Sequence, residues 1–207
     1  MNMEYKKYSL TGFAEDAASS KPTPGGGGVS AYVGALGISL GNMVGELTVG
    51  KKKYKEVEQD ILELMQKAKH MQNELLELID ADAQCFHPLA KAYSIPKDDP
   101  SRQVIMEEAL QTACTAPMDI MRACATCIEL IDGFAQMGSK LALSDAGCAA
   151  IIAKAAMQAA VLNVYINAKS MKDRKYATAL VREADQLLLE YCDKADIIYQ
   201  KVLEEIK

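Results

Sequence analysis

A chain of 207 residues, half of them apolar but only 6% aromatic and none tryptophan, can bury one full core and must build it from Ala, Leu, Ile, Val and Met. No linker rich in Ser, Gly and Pro divides it, so residues 1–207 read as a single domain. The formal charge of −5 argues against the clustered basic surface that nucleic-acid binding requires, so any basic site is expected to be local.

In chain order, a short helix is expected over Ser9 to Ala18, followed by the loop SSKPTPGGGG and a small-residue helix over Val29 to Val49. Glycine inside a helix costs about 1 kcal/mol relative to alanine, so Gly34, Gly37, Gly41 and Gly45 need a packing reason. Their steps of three, four and four put them on one face, where a neighbouring backbone can approach closely. This helix is the expected hub of an antiparallel bundle or of a subunit interface. Its length also raises a membrane span, which Asn42, Glu46 and the lack of a comparable run elsewhere argue against.

From Lys52 an amphipathic helix carries Val57, Ile61, Leu64, Ala68, Met71, Leu75 and Leu78 in steps of four and three. The next members of that stripe are Asp82 and Cys85, so a carboxylate stands where the pattern asks for leucine. A buried charge is either paired, here with a Lys or Arg, or engaged in chemistry. Asp80 and Glu77 fall off the stripe and are expected in solvent. His70 lies on the polar side and His87 precedes Pro88, where the helix should kink or end, so histidine catalysis is not expected.

After SIPKDDPS, Ser101 is the expected cap of a helix that runs to Thr115, bends near Pro117 and resumes to Ala135. QMGSKLALSDAG then leads to a second small-residue helix with Ser144 as N-cap. Along it Asp145, Ala149, Ile152, Ala156, Asn163 and Asn167 share one face, with polar groups at both ends. Asp145 suits a helix dipole, and the two asparagines suit either a ligand or neighbouring helix ends. The final helix, Lys175 to Ile206, packs through Leu180, Ala184, Leu187, Tyr191, Ala195, Ile198 and Val202. The six cysteines, Cys85, Cys114, Cys124, Cys127, Cys148 and Cys192, lie in apolar patterns without a legible secretory leader, which predicts buried, reduced thiols in a cytoplasmic protein. Cys124 and Cys127 have no second pair at ligand spacing, so no metal is expected.

PTPGGGGVSAYVGALGISLGNMVGELTVGKKKY, LIDADAQCF, IPKD, SDAG and LNVYIN stand in an order and spacing that resemble the cyclodeaminase/cyclohydrolase family across essentially the whole chain. The resemblance implies an all-α, single-domain helical bundle that forms a homodimer. It also implies a tetrahydrofolate substrate; the reaction calls for no metal or organic cofactor, and charge and composition speak against nucleic acid and membrane. The family's loop often closes on serine where this chain has Gly28, with Ser30 nearby, and Gly138-Ser139 stands where relatives often have Gly-Asn.

The implied reaction is hydrolysis of 5,10-methenyltetrahydrofolate to the 10-formyl product. Its substrate carries a delocalised cation across N5, the bridging carbon and N10, and an anionic glutamate tail. Asp82 is the expected base toward the attacking water, and Lys51 the donor or stabiliser of developing charge. Gly25, Gly26, Gly27, Gly28 and Ser30 are expected to approach the substrate, Lys52 its tail, and Asp145, Asn163 and Asn167 the pterin. Solvated ends of helices account for the lysine run equally simply. The alternatives are a formimidoyltetrahydrofolate cyclodeaminase that releases ammonia, or a non-catalytic folate-binding helical dimer.

Overall fold

Apolar residues recurring every three or four positions dictate helices, and the computed structural model, which describes residues 4–207, contains no strand among them. Its helices are α1 (Leu10–Ala17), α2 (Gly26–Glu46), α3 (Glu58–Tyr93), α4 (Arg102–Met137), α5 (Leu143–Ser170) and α6 (Arg174–Ile206). Short 3₁₀ turns at Tyr5–Lys7, Lys52–Tyr54 and Lys140–Ala142 join or precede them.

α2 is the hub, packed against α3, α4 and α5. Gly27, Gly34 and Gly45 look onto Asp82, Leu75 and Met65 in turn, so α3 runs antiparallel to α2. Gly26 looks onto Asn163 and Gly37 onto Ala149 and Ala153, so α5 is antiparallel as well. The four hub glycines do not serve one neighbour: Gly34, Gly41 and Gly45 face α3 and α4, whereas Gly37 faces α5. At Gly37 the close approach is to backbone, because a Cβ there would lie 3.2 Å from the Ala153 nitrogen and 3.3 Å from the Ala149 oxygen.

Several boundaries depart from expectation for local reasons. α2 starts at Gly26 rather than Val29, because Gly25 serves as N-cap and a carboxylate from α3 receives the N–H of Gly28. α3 starts at Glu58, since the lysine run forms its own 3₁₀ turn, and it continues past Pro88, where the carbonyl freed at Gln84 sits on an exposed turn. α4 is likewise one helix through Pro117. The carbonyl that Pro117 leaves free, that of Ala113, accepts a hydrogen bond from the Asn167 amide at 3.4 Å. Ser144 lies inside α5 because the 3₁₀ turn feeds directly into that helix, leaving Ala142 as N-cap; Asp145 is in the first turn as expected.

Asp80, expected in solvent, is buried: the N-terminal segment folds over α3 and the Tyr5 N–H donates to its Oδ1 at 2.5 Å. Cys148 is exposed and Cys85 half-buried, contrary to the expectation of uniformly buried thiols. Burial raises the Cys124 thiol to about 12 and Cys127 also well above the usual range, so these two are inert core groups.

Two helical segments, Gly26–Glu46 and Lys140–Ser170, are long and apolar enough to cross a bilayer by length and composition. Each also buries one side in the bundle. Their outer sides remain partly open: Val29, Val33, Leu36, Leu40, Met43 and the C-cap Leu47 form a partly exposed apolar stripe along α2. Beside it on α5 run Ala155, Ala159, Leu162 and Ile166, the last two 64% and 62% exposed.

Candidate active site

The first turn of any helix leaves N–H groups without intrahelical partners, and the glycine run places that turn of α2 against the middle of α3. Gly25 has no side chain with which to cap it. Asp82 does so from α3, its Oδ2 accepting the Gly28 N–H at 2.9 Å. Glycine at position 27 is what lets the carboxylate reach, because a Cβ there would lie 2.0 Å from Asp82 Oδ1. No Lys or Arg pairs with Asp82 among the described residues. Burial pushes its carboxyl up to about 6, and the Gly28 N–H, which favours the charged form, offsets only part of that rise. A carboxylate poised near neutral pH beside orphan helix N–H groups is equipped to take a proton next to an acceptor-binding turn.

Around Asp82 a cavity of about 110 Å³ is lined by Thr23, Gly25 to Gly27, Phe86, Pro117, Asn163 and Asn167, with Ile166 at its wall. Asn167 is buried and anchored to the Ala113 carbonyl. Asn163 is half-buried, and its amide nitrogen contacts the Ala159 and Ala160 carbonyls at 3.2 and 3.5 Å. Ser30 is buried with its hydroxyl committed to the Gly26 carbonyl at 2.5 Å, so it shapes the turn instead of lining the cavity.

The remaining expected residues gather at the other end of α2, about 30 Å away by the length of a 21-residue helix. There Lys51 is half-buried and its Nζ donates to Ser139 Oγ at 3.3 Å. Ser139 is fixed in turn by its own N–H, which donates to Thr48 Oγ1 at 2.8 Å. Lys52 is exposed, and Asp145 lies in the first turn of α5 at this same end. Tyr54, whose hydroxyl accepts the Lys140 N–H at 3.0 Å, completes the group; that hydrogen bond lowers its phenol below the usual range. A single chain therefore brings the glycine turn, Asp82, Asn163 and Asn167 together but holds Lys51, Lys52 and Asp145 apart from them. Thr23 and Phe86 are cavity residues that sequence reasoning missed; only the ordering of the loop against α3 exposes them.

A family model described as formiminotransferase-cyclodeaminase matches residues 9–186. The methenyltetrahydrofolate cyclohydrolase of Methylorubrum extorquens is 38% identical over 198 residues, covering 94% of this chain and 95% of that protein. The formimidoyltransferase-cyclodeaminase of Dictyostelium discoideum is 34% identical over 95% of this chain, which spans only 36% of that longer protein. Among solved structures, the formiminotetrahydrofolate cyclodeaminase of Thermotoga maritima matches with a TM-score of 0.84 and 30% identity, covering 98% of this chain and 97% of that one.

Proposed function

The chain belongs to the formiminotransferase-cyclodeaminase family, and from that premise we infer that it is a methenyltetrahydrofolate cyclohydrolase, hydrolysing 5,10-methenyltetrahydrofolate to 10-formyltetrahydrofolate. The observation that carries this reading is the 38% identity to a cyclohydrolase that this chain matches end to end. Asp82, a carboxylate tuned to about 6 in the glycine cleft, suits the chemistry that the reaction demands.

In this mechanism the carboxylate of Asp82 attracts the delocalised cation of the substrate and takes a proton from the water that attacks the bridging carbon. The C–O bond forms as the amidinium accepts the electron pair, giving a tetrahedral carbinolamine. Collapse breaks the C–N5 bond as the carbinolamine hydroxyl becomes the formyl carbonyl; N5 leaves with a proton, for which Lys51 is the donor, and the hydroxyl proton passes through water to the Lys51 amine, so that the single proton released overall is the one on Asp82. First-turn N–H groups of α2 receive a substrate oxygen, and Asn163 and Asn167 orient the ring. At the far cluster, Asp145 meets the donor edge of the pterin and Lys52 the anionic tail. Water, a base and a donor suffice, so no metal or organic cofactor takes part. The setting is cytoplasmic, where the free thiols stay reduced.

The two halves of this machinery lie at opposite ends of α2, and a second copy of the chain reconciles them. The outer stripes of α2 and α5 offer adjacent apolar faces about 30 Å long and together roughly 20 Å wide, on the order of 600 Å² per copy, near what a specific dimer buries. A twofold axis crossing this face antiparallel sets the glycine turn of one copy beside the lysine run of the other. It also roofs the cavity where Ile166 and Gly26 border the same face. We therefore read the active unit as a homodimer with two composite sites.

A second reading is favoured by the Thermotoga structure, a cyclodeaminase of matching length. There N10 would attack a formimino carbon and ammonia would leave, through a tetrahedral carbon at the same place. Purified protein distinguishes the two: loss of the methenyl absorbance band without ammonia release supports the cyclohydrolase, whereas ammonia from the 5-formimino substrate and an unaltered methenyl band would replace it with the cyclodeaminase.

A further inference from the structure

We propose that Tyr5 is a positioning residue of the active site, strapping the Thr23 wall of the glycine turn to α3 so that Gly28 stays in register with Asp82. The proposal rests on the reading of the glycine cleft as the active site.

Residues 80 and 82 of α3 point to opposite sides of that helix, since two positions turn it by about 200°. Both grip the stretch that runs from the Thr23 loop into the first turn of α2. Asp82 holds it directly, through the Gly28 N–H at 2.9 Å. Asp80 holds it through Tyr5: its Oδ1 accepts the Tyr5 N–H at 2.5 Å, and the Tyr5 hydroxyl donates to the Thr23 carbonyl at 2.8 Å while pairing with Thr23 Oγ1 at 2.9 Å. All three residues of this second grip are sealed, Tyr5 at 2%, Thr23 at 3% and Asp80 at 7% exposure, so water does not compete for the bonds. The other carboxylate oxygen of Asp80 is buried with no partner among the described residues. Such a group costs stability, which argues that the carboxylate is placed to orient Tyr5.

Thr23 is both the residue that Tyr5 holds and part of the cavity wall, five positions before Gly28. The clearance at Gly27 leaves no slack: the carboxylate lies within 2.0 Å of where a Cβ would stand. A loop that drifts by tenths of an ångström there loosens the Gly28 bond to Asp82. That bond favours the charged carboxylate, so loosening it moves the titration of Asp82 upward. No other charged group lines the cavity from the loop, α4 or α5; on α3 the nearest titratable neighbour is the Cys85 thiol, one turn on, and the proposed dimer adds Lys51 of the partner subunit.

Tyr5→Phe removes only the hydroxyl, keeping the backbone bond to Asp80 and the ring contacts with Tyr8 and Phe13. Three readouts are taken on the full chain: amide hydrogen exchange across residues 20–28, KM against kcat for methenyltetrahydrofolate, and the acid limb of kcat/KM. The expected result is exchange accelerated and KM raised, each about three- to ten-fold, with kcat at alkaline pH within about two-fold and the acid limb displaced upward. Unchanged exchange overturns the strap, and faster exchange with unchanged KM and acid limb overturns its service to the site. Asp82→Asn run alongside separates the two claims: if it retains full turnover, the active-site reading falls, whereas its inactivity with a silent Tyr5→Phe removes the strap alone.

Discussion

Replacing Gly27 by alanine adds one methyl group, and the structure sets its cost. The new Cβ would stand 2.0 Å from Asp82 Oδ1, 2.4 Å from Cγ and 2.6 Å from Oδ2, so the whole carboxylate must move. Alanine in a helix gains about 1 kcal/mol over glycine, while overpacking of this kind costs about 1–3 kcal/mol, leaving a net loss of roughly 1 kcal/mol. The functional cost is larger, because a base displaced by about 1 Å forfeits on the order of 100-fold in rate. Gly28→Ala is the matched control: its Cβ would meet Pro24 at 3.5 Å, the Ile79 carbonyl at 3.6 Å and Asp82 at 3.8 Å, all ordinary contacts. Decay of the methenyl absorbance band and urea unfolding, measured on both variants, should show Gly27→Ala nearly inactive with a lowered midpoint and Gly28→Ala within a few-fold of the unmodified chain. Gly27→Ala at full rate would refute the placement of Asp82 against this turn.

Burial raises the folded carboxyl of Asp82 from 3.8 to about 6, so its favourable contribution to folding is complete below the unfolded value and is lost as pH rises through 6. Above pH 6 the carboxylate costs the fold up to about 3 kcal/mol, and Asp82→Asn, which still accepts from Gly28, should raise the urea midpoint at pH 8 by an amount that shrinks toward pH 5. Asn167→Leu leaves the Ala113 carbonyl without its donor beside Pro117 and should lower stability by about 1–3 kcal/mol; calorimetry showing no change would mean that water replaces the amide. Asp82→Asn and Lys51→Met should each be inactive alone, yet co-expressed in equal amounts they should recover about a quarter of full activity, because half the dimers are mixed and each carries one intact site. No recovery would place both residues in one chain's site.

The sequence exposed those features that depend on neighbours three or four residues away. The helical stripes were legible, and so was the intrusion of Asp82 into one of them, because a carboxylate at a leucine position breaks a short-range pattern. The start of α2 was not, since three glycines oppose a helix locally and only a carboxylate from 54 residues on caps them. Asp80 was misplaced for the same reason: the segment that covers it lies 75 residues away. Pro88 and Pro117 break helices on local grounds, yet an exposed turn absorbs the freed carbonyl in one case and Asn167 satisfies it in the other. The implied reaction assigned Lys51 and the glycine turn to one substrate, although the helix between them holds the two at opposite ends of a single chain's bundle.

The central claim, that Asp82 is the base of a cyclohydrolase, is tested most directly by the rate of methenyl band loss across pH 5 to 8 with the unmodified chain and Asp82→Asn. The account predicts a rate that rises with pH to a plateau with a midpoint near 6 for the first, and near-background decay at every pH for the second. An Asp82→Asn chain that turns over at the unmodified rate with the same midpoint would contradict it.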